Sequence, residues 1–151
     1  ALLALPLIMV ACKKKDTSSN LTKLKANTWK ITEVNISKDG VIGLDYYSQM
    51  KDCEKDNFYT FNEGYTITAN EGPTKCDPTI ADVTTDGAWT LTDNETIFTL
   101  KSSSILPIPG DQKMRIVALD ANTLKLAKDT MADVPGVGLL TGTVNVTFTK
   151  K

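Results

Sequence analysis

The chain has 151 residues, a formal net charge of −1, three cysteines, one arginine and no histidine. That length suits one domain, and an apolar share of 41% is enough to bury a core. The missing histidine excludes Ser-His-Asp and Cys-His catalysis, imidazole-held zinc and any histidine pH switch. A near-neutral balance with Arg115 as the sole arginine argues against nucleic acid, because phosphate contacts need a basic surface. The odd cysteine count asks for two roles, one for a pair and one for a single residue.

Residues 1–11, ALLALPLIMVA, carry no charge. A bilayer-crossing helix needs roughly 20 apolar residues, so this run is too short. It has the length and small-residue ending of a secretory signal core. No basic stretch precedes it, so residues 1–11 read as a signal peptide truncated at its start. Met9-Val10-Ala11-Cys12 then resembles a bacterial lipobox, in which cleavage falls before a cysteine that takes up lipid. Met9 departs from the usual first position of that motif. The resemblance implies that Cys12 carries the lipid and anchors an exported domain to the outer membrane. The alternative is a buried N-terminal strand with a free cysteine. Residues 12–20 form a Lys/Ser/Thr tether, and residues 21–151 the domain. Only Lys15-Asp16 matches a lysine–acid surface-export pattern, so the periplasmic and cell-surface faces both stay open.

The rest of the chain is short apolar–polar runs between turn residues. With 21 threonines, it is suited to pleated, half-buried strands. The runs are Thr28 to Ile36, Phe58 to Phe61, Tyr65 to Ala69, Gly87 to Thr92, Thr96 to Lys101, Lys113 to Leu119, Thr123 to Lys128 and Thr143 to Thr149. Alternation is clean in the fourth, seventh and eighth, where Trp89 and Leu91, Leu124 and Leu126, and Val144, Val146 and Phe148 take one face. The sixth is apolar on both faces apart from Lys113 and Arg115. Helices are expected over Leu21 to Ala26 and Leu44 to Cys53, where Tyr46, Tyr47 and Met50 share a face.

The connections alternate in length. Three are tight turns, and the other four run from about ten to about twenty residues, far above a typical hairpin. In an up-and-down meander alternate connections lie at the same end, so the expected object is a cup with a plain base and an elaborate rim. Cys53 and Cys76 both fall in rim connections, and their pairing needs no distortion of the topology. It would close a loop worth roughly 3 kcal/mol. The alternative is two free thiols.

Several ordered pieces carry a family resemblance. They are Leu24 to Ile31 (LKANTWKI), Lys51 to Asn57 (KDCEKDN) before Phe58 to Phe61, Glu71 to Cys76 (EGPTKC), Gly87 to Leu91 (GAWTL) and Leu124 to Leu126. Over about Leu21 to Lys150 the chain resembles the lipocalin-like domain of small Bacteroidetes-type bacterial lipoproteins. Asn27-Thr28-Trp29 lacks the glycine of the lipocalin Gly-x-Trp opening, and Lys150 stands where an arginine would cover that tryptophan. The resemblance implies a mainly β, eight-stranded antiparallel up-and-down barrel.

Ile105, Leu106 and Ile108, with Val137, Leu139 and Leu140, are too apolar for bare rim loops. They form either the lip of an apolar pocket or a plug over the barrel end. Trp29, Phe61, Tyr65 and Trp89 face the same choice between pocket wall and core. Asp52, Glu54, Asp56 and Glu63 have an EF-hand-like spacing, but Asn57 takes the position that needs glycine, so no metal is expected. Asp129-Thr130-Met131 resembles a bacterial O-glycosylation tripeptide, with Thr130 as acceptor. No phosphate loop or activated nucleophile stands out, so neither catalysis nor a cofactor is expected. The functional expectation is a monomeric, membrane-anchored lipoprotein binding a small hydrophobic or amphipathic ligand at the rim. The alternative is a filled barrel whose rim loops contact an envelope protein or glycan partner.

Overall fold

The structure, a computed structural model, describes residues 17–134 and 138–151. In chain order the elements are α1 (Asn20–Lys25), β1 (Thr28–Lys38), β2 (Val41–Asp45), α2 (Tyr46–Gln49), α3 (Asp52–Lys55) and β3 (Phe58–Phe61). A 3-10 turn (Glu63–Tyr65) leads to β4 (Thr66–Asn70), β5 (Val83–Thr92), β6 (Ile97–Lys101), β7 (Gln112–Leu119), β8 (Thr123–Val134) and β9 (Gly138–Lys150). Strands β3 to β9 pair antiparallel in succession, β3 pairs with β1, and β9 returns to β1 from Trp29↔Lys150 to Ser37↔Thr143. The result is an eight-stranded antiparallel barrel, as the family resemblance implies, and the pairing of β9 with β1 closes it.

Two bulges set which side chains face inward. In β1, Ile31 pairs with Phe148 and Glu33 with Thr147, so Thr32 is an extra residue. A strand alternates faces with period two, so one extra residue reverses its parity. Trp29 and Ile31 point inward before the bulge, and Val34 and Ile36 after it. In β5, Thr66↔Ala88 is followed by Thr68↔Thr85, which places the extra residue beside Gly87. Gly87 has φ +73°, and a Cβ there would lie 2.3 Å from the Lys101 carbonyl oxygen. Only glycine fits such a bulge. It turns Trp89 into the core and Thr84 and Asp86 toward the barrel mouth.

The interior is filled. Trp29, Phe61, Trp89, Phe98 and Phe148 are fully buried together with Leu24, Ile67, Met114, Leu124, Leu126 and Val146. Phe61 stands at its centre, with ring centroids 5.1 Å from Phe98, 5.8 Å from Trp89 and 6.3 Å from Phe148. Such offset and edge-on contacts add to the area-based gain of burying aromatic rings.

Three expectations need correction. The helix expected over Leu44 to Cys53 is two single turns, because Met50 and Lys51 are extended (ψ 147° and 154°) and Leu44 lies in β2. The stretch after Ile36 is not a plain loop: Asp39-Gly40, with φ 51° and 78°, reverse the chain into β2 as a tight hairpin turn does. The last long connection is a continuation of the β8–β9 ladder, paired from Lys128↔Val144 out to Val134↔Gly138.

Candidate functional site

The base of the barrel carries the three tight turns, and α1 lies across them. Its six residues are too few to be helical alone, so tertiary contacts hold it. Ser19 Oγ accepts the Thr22 N–H at the helix start. Glu95, in the β5–β6 turn, accepts from the Asn20 side chain through its carbonyl (2.9 Å) and from the Leu21 N–H through Oε2 (3.1 Å). Lys25 pairs with Glu63 in the β3–β4 turn at 2.9 Å, and Asn27 donates to the Ala121 carbonyl in the β7–β8 turn. Trp29 Nε1 donates to the Leu24 carbonyl at 2.9 Å, which fixes the indole beneath the helix.

The opposite end is built from the long connections. The β6–β7 connection folds inward, burying Ile105 and Leu106 in the core cluster with Ile108 half-buried beside them. Two polar brackets seat it. Asp86, turned to the mouth by the Gly87 bulge, accepts from Ser103 Oγ, Ser104 N and Ser104 Oγ, each at 2.9 Å. Buried Gln112 donates to the Pro109 and Gly110 carbonyls at 3.0 and 2.9 Å and accepts from Lys128 Nζ. Buried side-chain polar atoms cost free energy unless bonded in this way.

The β1–β3 and β4–β5 connections are tied to each other. Cys53 and Cys76 form a disulfide with Cα atoms 5.2 Å apart, as their rim placement allows. Beside it, Asp56 Oδ2 accepts the Thr74 N–H at 2.9 Å. Gly72, φ +69°, lets the backbone pass so close that a Cβ would lie 2.4 Å from the Asp56 carbonyl oxygen. The Asn57 amide, oriented by its partners, donates to the carbonyls of Glu71 (2.7 Å) and Cys53 (3.1 Å).

Between these connections and the plug lies a cavity of about 540 Å³, within the range of small-molecule sites. Its walls are Tyr46, Met50, Tyr59, Ile80, Ile105 and Pro107, and its polar groups include Glu54, Glu71, Asp77 and Asp86. Burial pushes the Tyr59 hydroxyl up to about 12, and the nearby carboxylates of Asp86, Glu71 and Glu54 push the same way. The hydroxyl is therefore a neutral hydrogen-bonding group at physiological pH. Thr79 N–H and Oγ hold the exposed Asp77 carboxyl below the usual range, with a weaker contribution from the charge of Lys75.

The site residues named from sequence divide by height in the barrel. Trp29, Phe61 and Trp89 are fully buried near the base, with Tyr65 half-exposed in the β3–β4 turn, its ring 5.3 Å from Trp89. Ile105 and Leu106 are at the mouth, and Ile105 also lines the rim cavity. Leu139 is exposed on the β8–β9 hairpin. Thr130 pairs with Gly142 on that hairpin, next to Asp129, whose carboxylate holds Arg115 at 2.9 Å. Cys12, Val137 and the Leu140 side chain lie outside the described residues. The EF-hand-like carboxylates go separate ways, with Glu63 at the base and Glu54 accepting the Lys51 N–H. Sequence reasoning missed Tyr59, Glu71 and Asp86. A glycine inside a strand pattern signals a bulge, so Gly87 could have pointed to Asp86.

A family model described as a lipocalin-like domain matches residues 26–126, from the turn before β1 into β8. No curated protein matches the sequence. With more than half its length matched and its barrel closed by β9 on β1, the chain belongs to the lipocalin-like domain family.

Proposed function

We propose that the protein is an exported, membrane-anchored lipoprotein whose barrel binds a small amphipathic molecule at the long-loop end. The rim cavity carries this reading: aromatic, apolar and acidic side chains line one hollow of about 540 Å³. The filled barrel interior directs the ligand to the rim and away from the aromatic residues at the base. The lipobox-like Met9-Val10-Ala11-Cys12 supports the anchor. Cys12 precedes α1 by eight residues, a reach of at most about 28 Å. An anchor so close to α1 turns the base toward the membrane and the rim away from it.

Two measurements test the proposal. Expressed with a complete signal, the wild type is to fractionate with membranes and show a lipid-sized mass increment, and Cys12→Ser is to lose both. Membrane association unchanged in Cys12→Ser would refute the anchor. Short-chain alkyl amphipaths are to raise the Tm of the domain, and Ala69→Trp, which adds bulk at a residue lining the cavity, is to abolish that rise.

A second reading, an interaction module for an envelope protein or glycan, has its own observation. Val41, Ile42, Met131 and Leu139 are more than half exposed on the two hairpins that carry the sheet beyond the barrel. Isolated apolar side chains are ordinary on a surface, and two such pairs on extended hairpins give a partner apolar points to cover.

A further inference from the structure

We infer that the rim cavity takes an organic cation, an amine or quaternary ammonium on a short apolar body. This inference rests on the rim cavity being the ligand site. The chemistry comes from what the walls contain and what they lack. Glu54, Glu71, Asp77 and Asp86 line the hollow, and among the described residues no lysine or arginine does. Glu54, Asp77 and Asp86 accept hydrogen bonds from backbone N–H and hydroxyl groups, which satisfy oxygen lone pairs and leave the negative charge in place. Glu71 has no side-chain hydrogen bond or ion pair among the described residues. Lys75, whose charge reaches Asp77, is held by Asp82 at 2.9 Å and by the Ile80 carbonyl.

The aromatic wall agrees with the charge. Tyr59, itself buried, lines the same hollow as Glu54, Glu71 and Asp86. Tyr46 adds a second aromatic side chain to the lining. An alkylammonium gains from carboxylates within a few ångströms and from the face of an aromatic ring. Its chain gains from Met50, Ile80, Ile105 and Pro107. An anionic amphipath of the same length would bring a like charge among four carboxylates.

The test is calorimetric titration of the disulfide-intact protein at low salt with three probes of one chain length. These are octyltrimethylammonium, octanoate and 1-octanol, each below its aggregation threshold. The cation is expected to bind at least about tenfold more tightly than octanoate, with an advantage that shrinks as salt rises. Glu71→Gln is expected to weaken the cation by about fivefold and leave octanol unchanged. Asp129→Asn, the same change in net charge on the β8–β9 hairpin, is expected to leave both unchanged. If Glu71→Gln fails to fold, Asp77→Asn serves in its place, at an exposed loop position. Equal binding of cation and octanol, or tighter binding of octanoate, overturns the cation assignment while the rim site stands. Absence of binding by all three probes overturns both.

Discussion

At the residue scale, two positions shape the site more than any ligand-facing group. Gly87 reverses the parity of β5, and Asp86 uses the new direction to hold the Ser103–Ser104 segment. Tyr59 sits below them, and its raised pKa makes a pH prediction with a definite sign. The folded protein keeps the phenol neutral up to about pH 12, while the unfolded chain ionises it near 10. The unfolded state therefore loses the proton first, and this contribution to stability, intact below pH 10, falls as pH rises from 10 to 12. Over that window the slope approaches about 1.4 kcal/mol per pH unit. Tyr59→Phe removes the titrating group. Urea unfolding at pH 9 and pH 11 should show the stability gap between wild type and variant shifting toward the variant as pH rises. Parallel alkaline limbs would show that the Tyr59 hydroxyl is not shielded from water in the folded protein.

At the element scale, the rim is two connections fastened to each other and a third held by the strands below. The disulfide joins α3 to the β4–β5 connection across 23 residues of sequence, a closure worth about 3 kcal/mol. Cys53→Ser/Cys76→Ser is expected to lower the Tm by roughly 10 °C and to weaken ligand binding further, because Glu54 and Asp77 flank the two cysteines. Scanning calorimetry with and without reductant checks the first part, and an unchanged Tm would contradict it. The placement of this pair was legible in the sequence, because topology puts alternate connections at one end whatever their detailed path. The internal form of those connections was less legible. Val41 to Asp45 and Lys128 to Val134 form strands because a neighbouring strand supplies their hydrogen bonds, and local patterning does not reveal that neighbour. Alternation also misleads across Thr32 and Gly87, where one inserted residue reverses the faces.

At the scale of the whole molecule, the barrel is closed at its base by α1, filled through its middle by aromatic residues, and plugged at its mouth by Ile105 and Leu106. The succession of strands and the two unlike ends were legible from the rhythm of turn lengths, whereas the barrel was implied by the family resemblance and its closure rests on the pairing of β9 with β1. The candidate site was legible only in part: Ile105 was named as a rim residue and Tyr46 and Met50 only as one face of an expected helix, while the carboxylates that line the cavity lie in two connections and one strand. No spacing along the chain relates Glu54 to Glu71 or Asp86, and closure of the barrel brings them together. A lipocalin-like fold invites the expectation of a ligand within the barrel, whereas here a cavity of about 540 Å³ lies above the plug. Backbone and indole N–H shift mapping of the labelled domain during titration with octyltrimethylammonium tests that claim most directly. The account predicts shifts concentrated at Glu54, Tyr59, Glu71, Asp86 and Ile105, with the indole signals of Trp29 and Trp89 unmoved. Large shifts of those two indole signals, with the rim signals still, would place the ligand inside the barrel and contradict it.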